Sequence, residues 1–131
     1  MNRIIKDLYI GDAVDAIKCS NEFYILSVTD EKPKQLRGTW IPLFSKSSLK
    51  KTNREKKYVR IIQLNKAIKL IENVLIRGKV LVHCGAGIER SPLVVAWYLH
   101  KKKGVTLDEA YCLIMKKRDV MNRTEWIPLK K

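Results

Sequence analysis

The run His83-Cys84-Gly85-Ala86-Gly87-Ile88-Glu89-Arg90-Ser91 gathers a nucleophile, a cation and a hydroxyl at a fixed spacing. Val80-Leu81-Val82 stands before it, and Leu93, Val94 and Trp97 follow. These apolar flanks set the run where a strand turns into a helix. There the six backbone N–H groups from Gly85 to Arg90 can curl into a nest around one anion, at the positive end of the helix dipole. Gly85, Ala86 and Gly87 bring little bulk, so the backbone can approach phosphate oxygens closely, and Gly87 can adopt a positive φ at small cost. Ile88 and Glu89 complete the nest, and Arg90 offers a planar fork to two oxygens.

Cys84 falls at the floor of that nest. The potential that attracts an anion also stabilises a thiolate, which brings a cysteine pKa from about 8.5 into the range of ~3.5–7.5. Ser91 can donate a hydrogen bond to the sulfur and assist its departure. The chemistry is in-line attack of sulfur on phosphorus, giving a phosphocysteine that water hydrolyses. Negative charge spreads over the equatorial oxygens in the transition state, so the fixed ring of donors is the main catalytic device. The scheme needs no cofactor and no metal. Two competing readings are weaker. A dinucleotide fingerprint would need glycine where Arg90 stands. A buried structural thiol would not require Arg90 and Ser91 in register with it.

The surrounding pattern supplies the elements that position this loop. Leu8 to Ile10, closed by Gly11, reads as a strand, and Asp12 can cap a helix carrying Val14 and Ile17. Phe23 to Val28 is a buried strand with an exit loop at 29–33. Trp40 to Leu43 is a short strand that Pro42 ends or confines to an edge. Residues 44–57 show no period and read as a cationic loop. Val59, Ile62, Leu64, Ile68, Ile71 and Leu75 follow a helical period up to Arg77, and Gly78 stops it. Val80 to Val82 is apolar throughout, as a central parallel strand must be. Pro92 suits the first turn of the next helix, which Gly104 ends. Thr106-Leu107-Asp108-Glu109 is a capping box opening a last helix to about Lys117. Alternating strands and helices predict an α/β fold in three layers: a mostly parallel central sheet of four to five strands, with helices on both faces. The crossover rule sets the loop after Val82 at the carboxyl edge of that sheet, where ligands bind.

With 131 residues, the chain reads as a single domain, residues 1–131, with 46% apolar residues to build a core. No Pro/Gly linker divides it. The 27 Lys and Arg outnumber the 13 Asp and Glu, and the net charge of +14 favours anionic partners. No apolar run reaches the length of a membrane span. The start of the chain lacks a signal-peptide pattern, which points to a cytoplasmic protein. Cys19, Cys84 and Cys112 are odd in number and far apart, which disfavours a disulfide scaffold or a zinc site. Cys19 and Cys112 are read as small buried hydrophobes.

Here the sequence resembles the cysteine-dependent protein tyrosine phosphatases, whose H-C-x5-R-S/T signature His83 to Ser91 matches. The small dual-specificity branch fits best. Ile5 to Asp12, Leu26 to Glu31, Trp40 to Leu43 and Thr106 to Ala110 fall where that branch has its other segments. The resemblance implies Cys84 as nucleophile, Arg90 as phosphate clamp, Ser91 as thiolate partner and His83 as a supporting residue that orders the loop. It also implies a phosphorylated protein substrate, with a pocket shallow enough for phosphoserine and phosphothreonine beside phosphotyrosine.

One expected part is absent. The family carries an aspartate general acid on the loop after the Ile41-Pro42 strand, an effect worth typically ~10²–10⁴-fold. Counting forward from Ile41 the position falls on Ser45; counting back from the next helix it falls near Arg54. Glu55 is the one carboxylate in 43–57 and becomes the candidate acid by elimination, with Asp30 and Glu31 in reserve. Otherwise Glu55 is a solvated first-turn residue favoured by the helix dipole. Lys46, Lys50, Lys51, Arg54, Lys56, Lys57 and Arg60 make the same stretch a cationic rim suited to steering acidic substrates. Trp40, Trp97 and Trp126 are read as packing residues. Two rivals remain: an RNA 5′-triphosphatase of the same cysteine-phosphatase family, and a phosphate-binding module with weak turnover.

Overall fold

A computed structural model of the chain describes residues 1–34, 38–51 and 57–128. The strands are β1 (Asn2–Ile5), β2 (Leu8–Gly11), β3 (Tyr24–Ser27), β4 (Gly38–Trp40) and β5 (Val80–His83). The helices are α1 (Ala13–Lys18), α2 (Lys46–Leu49), α3 (Ile61–Leu75), α4 (Arg90–Lys103) and α5 (Leu107–Met115), and Thr124–Trp126 forms one 3₁₀ turn. The five strands make one sheet in the order β1-β2-β5-β3-β4. Only the β1–β2 pair is antiparallel; β2, β5, β3 and β4 run parallel. This is the three-layer, mostly parallel α/β architecture expected from the alternation of elements.

The central strand is β5, whose four residues are all buried between neighbours on both sides. Its register aligns His83 with Gly11 at the end of β2 and with Ser27 at the end of β3. The three carboxyl ends therefore finish level, and the loop after His83 emerges between them. On one face, α1 and the side chains Ala16, Phe23, Ile25 and Leu81 form a small apolar cluster. The other face carries the main core beneath α3, α4 and α5. Residues Ser91 to Leu99 of α4 are all buried, so this helix is apolar on every side, as a helix enclosed by sheet and helices must be. Its buried course delivers the N-terminus of α4 directly beneath the loop.

The local stops act as their chemistry predicts. Asp12 and Asp15 form a reciprocal cap on α1, and Thr106 with Glu109 does the same for α5. Gly104 ends α4 with φ of 72°.

Several expectations are corrected. β1 is an addition to the expected strands: its four residues are too few to show an alternation, and they pair with β2 across a two-residue turn. β4 ends at Trp40, so Ile41 to Leu43 lie past the strand, which is an edge strand. A short helix, α2, stands inside 44–57, because Ser45 caps it by accepting from the Ser48 amide. Ile62 faces solvent, and the buried stripe of α3 runs through Leu64, Ala67, Ile68 and Ile71. Cys112 is exposed and Cys19 half-buried. On α5 the inward positions are Ala110, Tyr111 and Ile114, which leaves Cys112 on the outer side.

Candidate active site

The loop between β5 and α4 is built from its outer side. Four of its carbonyls accept hydrogen bonds from beyond the loop. Gly85 O accepts from the Ala13 amide at 3.0 Å, and Ile88 O from the Met121 amide at 2.9 Å. Arg118 donates through Nε to Gly87 O at 2.9 Å and through Nη2 to Ala86 O at 3.1 Å, while its Nη1 holds Asn2. Carbonyls fixed outward leave the amides of a tight turn free to face inward, which is the requirement for a nest. Gly87 has φ of 71°, and a Cβ there would lie 2.5 Å from Gly11 O and 2.6 Å from Arg118 Nη2. Glycine is therefore demanded at 87 by conformation and by the close approach of β2. At Gly85 nothing lies within 4 Å of where a Cβ would be. Its small size keeps space open and does not relieve a contact.

Cys84 sits inside this loop, 3% exposed. Its Sγ is 3.4 Å from the Ser91 hydroxyl, and Ser91 is itself fully buried. Burial alone would push the thiol up. The Ser91 hydroxyl and the amides of Ser91, Arg90 and Gly87 all donate to the sulfur and outweigh it, so the thiol is held below its ordinary value.

His83 is buried behind the cysteine. Its Nε2 lies 2.6 Å from the Ser27 hydroxyl, the cross-strand neighbour set by register, and its Nδ1 lies 3.1 Å from Cys84 O. Burial lowers its pKa, against the opposing pull of the Cys84 carbonyl and of Asp12, and favours the neutral ring. A neutral imidazole bridging β3 to the loop is a rigid spacer.

Arg90, the first residue of α4, places its Nη2 at 2.6 Å from Asp30 Oδ2, on the loop leaving β3. Its guanidinium also lies 5.6 Å from the centroid of the Phe44 ring. Phe44 packs edge-on against Trp126 with centroids 5.2 Å apart, and both rings are buried. Lys57 Nζ lies 4.8 Å from the Phe44 ring and 5.0 Å from the Trp126 ring, and Arg123 is 5.0 Å from Trp126. Trp126 thus packs, as its composition suggested, and it also supports the cations at this edge. Glu89 points away from the nest to Arg123 Nε at 2.9 Å, which offsets the negative charge it brings to the loop.

The structure thus brings together Cys84, Ser91, His83, Arg90 and the backbone from Gly85 to Glu89. Glu55 lies outside the described residues, as do Arg54 and Lys56. Ser45, at the position counted forward for an acid, has its hydroxyl engaged with Ser47, Ser48 and the start of α2. Sequence reasoning missed Arg118 and the role of Arg123. Both are distant in sequence and look like ordinary surface cations; only a positive φ at Gly87 hints that carbonyls there need donors.

A strand–loop–helix anion cradle with an activated cysteine, at the carboxyl edge of a parallel sheet, defines the class of cysteine-based phosphate-transfer proteins. Residues 8–127 match the family model described as dual specificity phosphatase, catalytic domain, and the chain belongs to that family. It is 30% identical over 123 residues to the tyrosine-phosphatase-type protein 123R of Invertebrate iridescent virus 6, covering 91% of this chain and 80% of that one. It is 32% identical over 131 residues to the human dual specificity protein phosphatase 5, covering 91% of this chain and 31% of that protein. The chain therefore spans under a third of that human relative. Among solved structures, human DUSP28 superposes with a TM-score of 0.72 at 18% identity, covering 96% of this chain and 90% of that one. A mouse dual specificity phosphatase complexed with zinc tungstate superposes with a TM-score of 0.74 at 20% identity, covering 95% and 80%.

Proposed function

We propose that the protein hydrolyses phosphotyrosine, and also phosphoserine and phosphothreonine, in proteins through a phosphocysteine intermediate on Cys84. The observation that carries this reading is the buried Cys84 sulfur receiving the Ser91 hydroxyl and the amides of Gly87, Arg90 and Ser91. A sulfur so placed carries more thiolate than an ordinary cysteine and lies where the nest would hold a phosphate. In the first step a sulfur lone pair forms the S–P bond while the ester P–O bond breaks. The leaving oxygen takes that electron pair and a proton from an acid, for which Glu55 is the candidate. In the second step water attacks phosphorus and gives its proton to the conjugate base. The S–P bond breaks, and sulfur leaves as a thiolate stabilised by the Ser91 hydroxyl.

The outward tethering of the loop carbonyls supports a donor ring organised before substrate binds. The excess of cations suits acidic phosphoproteins and gives a salt-sensitive on-rate. A reducing, cytoplasmic compartment suits a free catalytic thiolate.

The test compares the unsubstituted protein with Cys84→Ser on a phosphotyrosine peptide, a phosphoserine peptide and triphosphate-ended RNA, with a chelator present. Release of phosphate from both peptides, abolished in Cys84→Ser, is the expected result. Release from RNA with little from either peptide would instead establish the triphosphatase reading. A phosphocysteine that forms and persists would establish a binding module. Loss of peptide turnover on chelation would overturn the proposed mechanism.

A further inference from the structure

Among the described residues, the buried side-chain polar atoms without a partner are Asp30 Oδ1 and Arg90 Nε. They belong to the two halves of one ion pair, which ties the first residue of α4 to the loop leaving β3. The pairing is single-pronged. A carboxylate facing the Nε–Nη2 edge of a guanidinium engages both nitrogens in parallel. Here Oδ2 takes Nη2 at 2.6 Å, while Oδ1 and Nε each bond to nothing. Asp30 therefore uses one hydrogen of Nη2. The Nε–H, already desolvated, and the second Nη2 hydrogen remain for two oxygens of an anion.

We propose that Asp30 is a positioning residue for substrate phosphate: it fixes the Arg90 guanidinium through Nη2 so that its Nε edge faces the anion above Cys84. The inference rests on the phosphatase reading and deepens it. A buried donor without a partner is costly, and an anion held in the cradle supplies one. The guanidinium is held from two sides, by Asp30 and by the face of Phe44. It is thereby held in one orientation before substrate arrives, so less entropy is lost on binding. Asp30 is also a reserve candidate for the general acid. Its Oδ2 is engaged by the Arg90 guanidinium instead.

The experiment measures kcat and KM on an activated aryl phosphate and on a phosphoserine peptide, with the tungstate Kd by calorimetry. The proteins are the unsubstituted chain, Asp30→Ala, Asp30→Ser and Asp30→Asn. Loss of one charge-assisted contact predicts that KM and the tungstate Kd rise about tenfold in Asp30→Ala and Asp30→Ser, with kcat falling far less. Asp30→Asn keeps an acceptor oxygen and is expected to recover most of that loss. Two deletion variants guard against one failing to fold.

Three results would overturn the proposal. Unchanged KM and Kd would show that Arg90 needs no partner. Tighter tungstate binding in all three variants would show that Asp30 competes with the anion. A fall in kcat on the peptide but not on the aryl phosphate, in Asp30→Asn as well, would make Asp30 the proton donor. If the unsubstituted protein turned over no phosphoester yet bound tungstate with this same Asp30 dependence, the phosphatase reading would fail while the positioning role stood.

Discussion

The two sides of the anion site are constructed differently. On the cradle side, four carbonyls from Gly85 to Ile88 are tied to α1, Arg118 and Met121, and the sulfur has its donors in place. On the opposite side, the hydrogen bond of Asp30 goes to Arg90, and Glu31 beside it is exposed. Ser45, where an acid is expected, caps α2 instead. Binding phosphate and stabilising a thiolate are thus embedded in the packing of the sheet and α4. Glu55, the candidate for protonating the leaving group, lies outside the described residues.

That comparison can be broken at either side. The largest effect is expected from Cys84→Ser on the cradle side, which should lower kcat by about 10⁴-fold or more while tungstate still binds. Residual turnover near that of the unsubstituted protein would remove the sulfur from the mechanism. Next comes Glu55→Gln, expected to slow hydrolysis of alkyl-type phosphoesters by about 10²-fold and activated aryl esters far less. Equal slowing of both substrates would leave the acid side without Glu55.

Ser91→Ala sharpens the cradle side alone. Without that hydroxyl the Cys84 thiol rises toward its ordinary value, since burial pushes it up. Alkylation at pH 6 should slow by about tenfold, one pKa unit of lost thiolate. Exposed Cys112 in the same protein serves as the internal reference. An unchanged pH profile for Cys84 would show that the amides alone set its ionisation.

The smallest effect is a pH dependence of stability from His83. Burial places its folded pKa below the unfolded one, so between the two the unfolded chain binds more protons. Stability from a neutral His83 is therefore full above the unfolded value of about 6.5 and declines as pH falls below it. Urea midpoints at pH 7.5 and 5.5 should show the decline, reduced in His83→Asn. An identical decline in that variant would assign it to other groups.

Much of this was legible in the residues, where local chemistry needs no distant partner. The cap at Asp12, the capping box at Thr106, the stop at Gly104, the unbroken apolar run of β5 and the spacing from Cys84 to Ser91 each act within a few residues. They were enough for the layer order and the location of the cradle. The short α2 escaped because Ser45 was weighed as a failed acid and not as a cap. Solvent exposure of Cys112 escaped because a prior for cysteine is weaker than the face that Tyr111 and Ile114 choose for α5.

What the amino-acid order determined by itself was the reactive loop, its flanking strand and helix, and the positive balance that attracts anions. Only the tertiary structure decided which groups hold that loop open and aim its cation. Arg118 reaches Gly87 and Ala86 across 31 and 32 residues, and Asp30 reaches Arg90 across 60. Such contacts follow from the register that levels Gly11, His83 and Ser27 at one sheet edge. Hydrogen bonds act over about 3 Å in space, irrespective of sequence separation, so pairs brought together by strand order leave no local pattern to read.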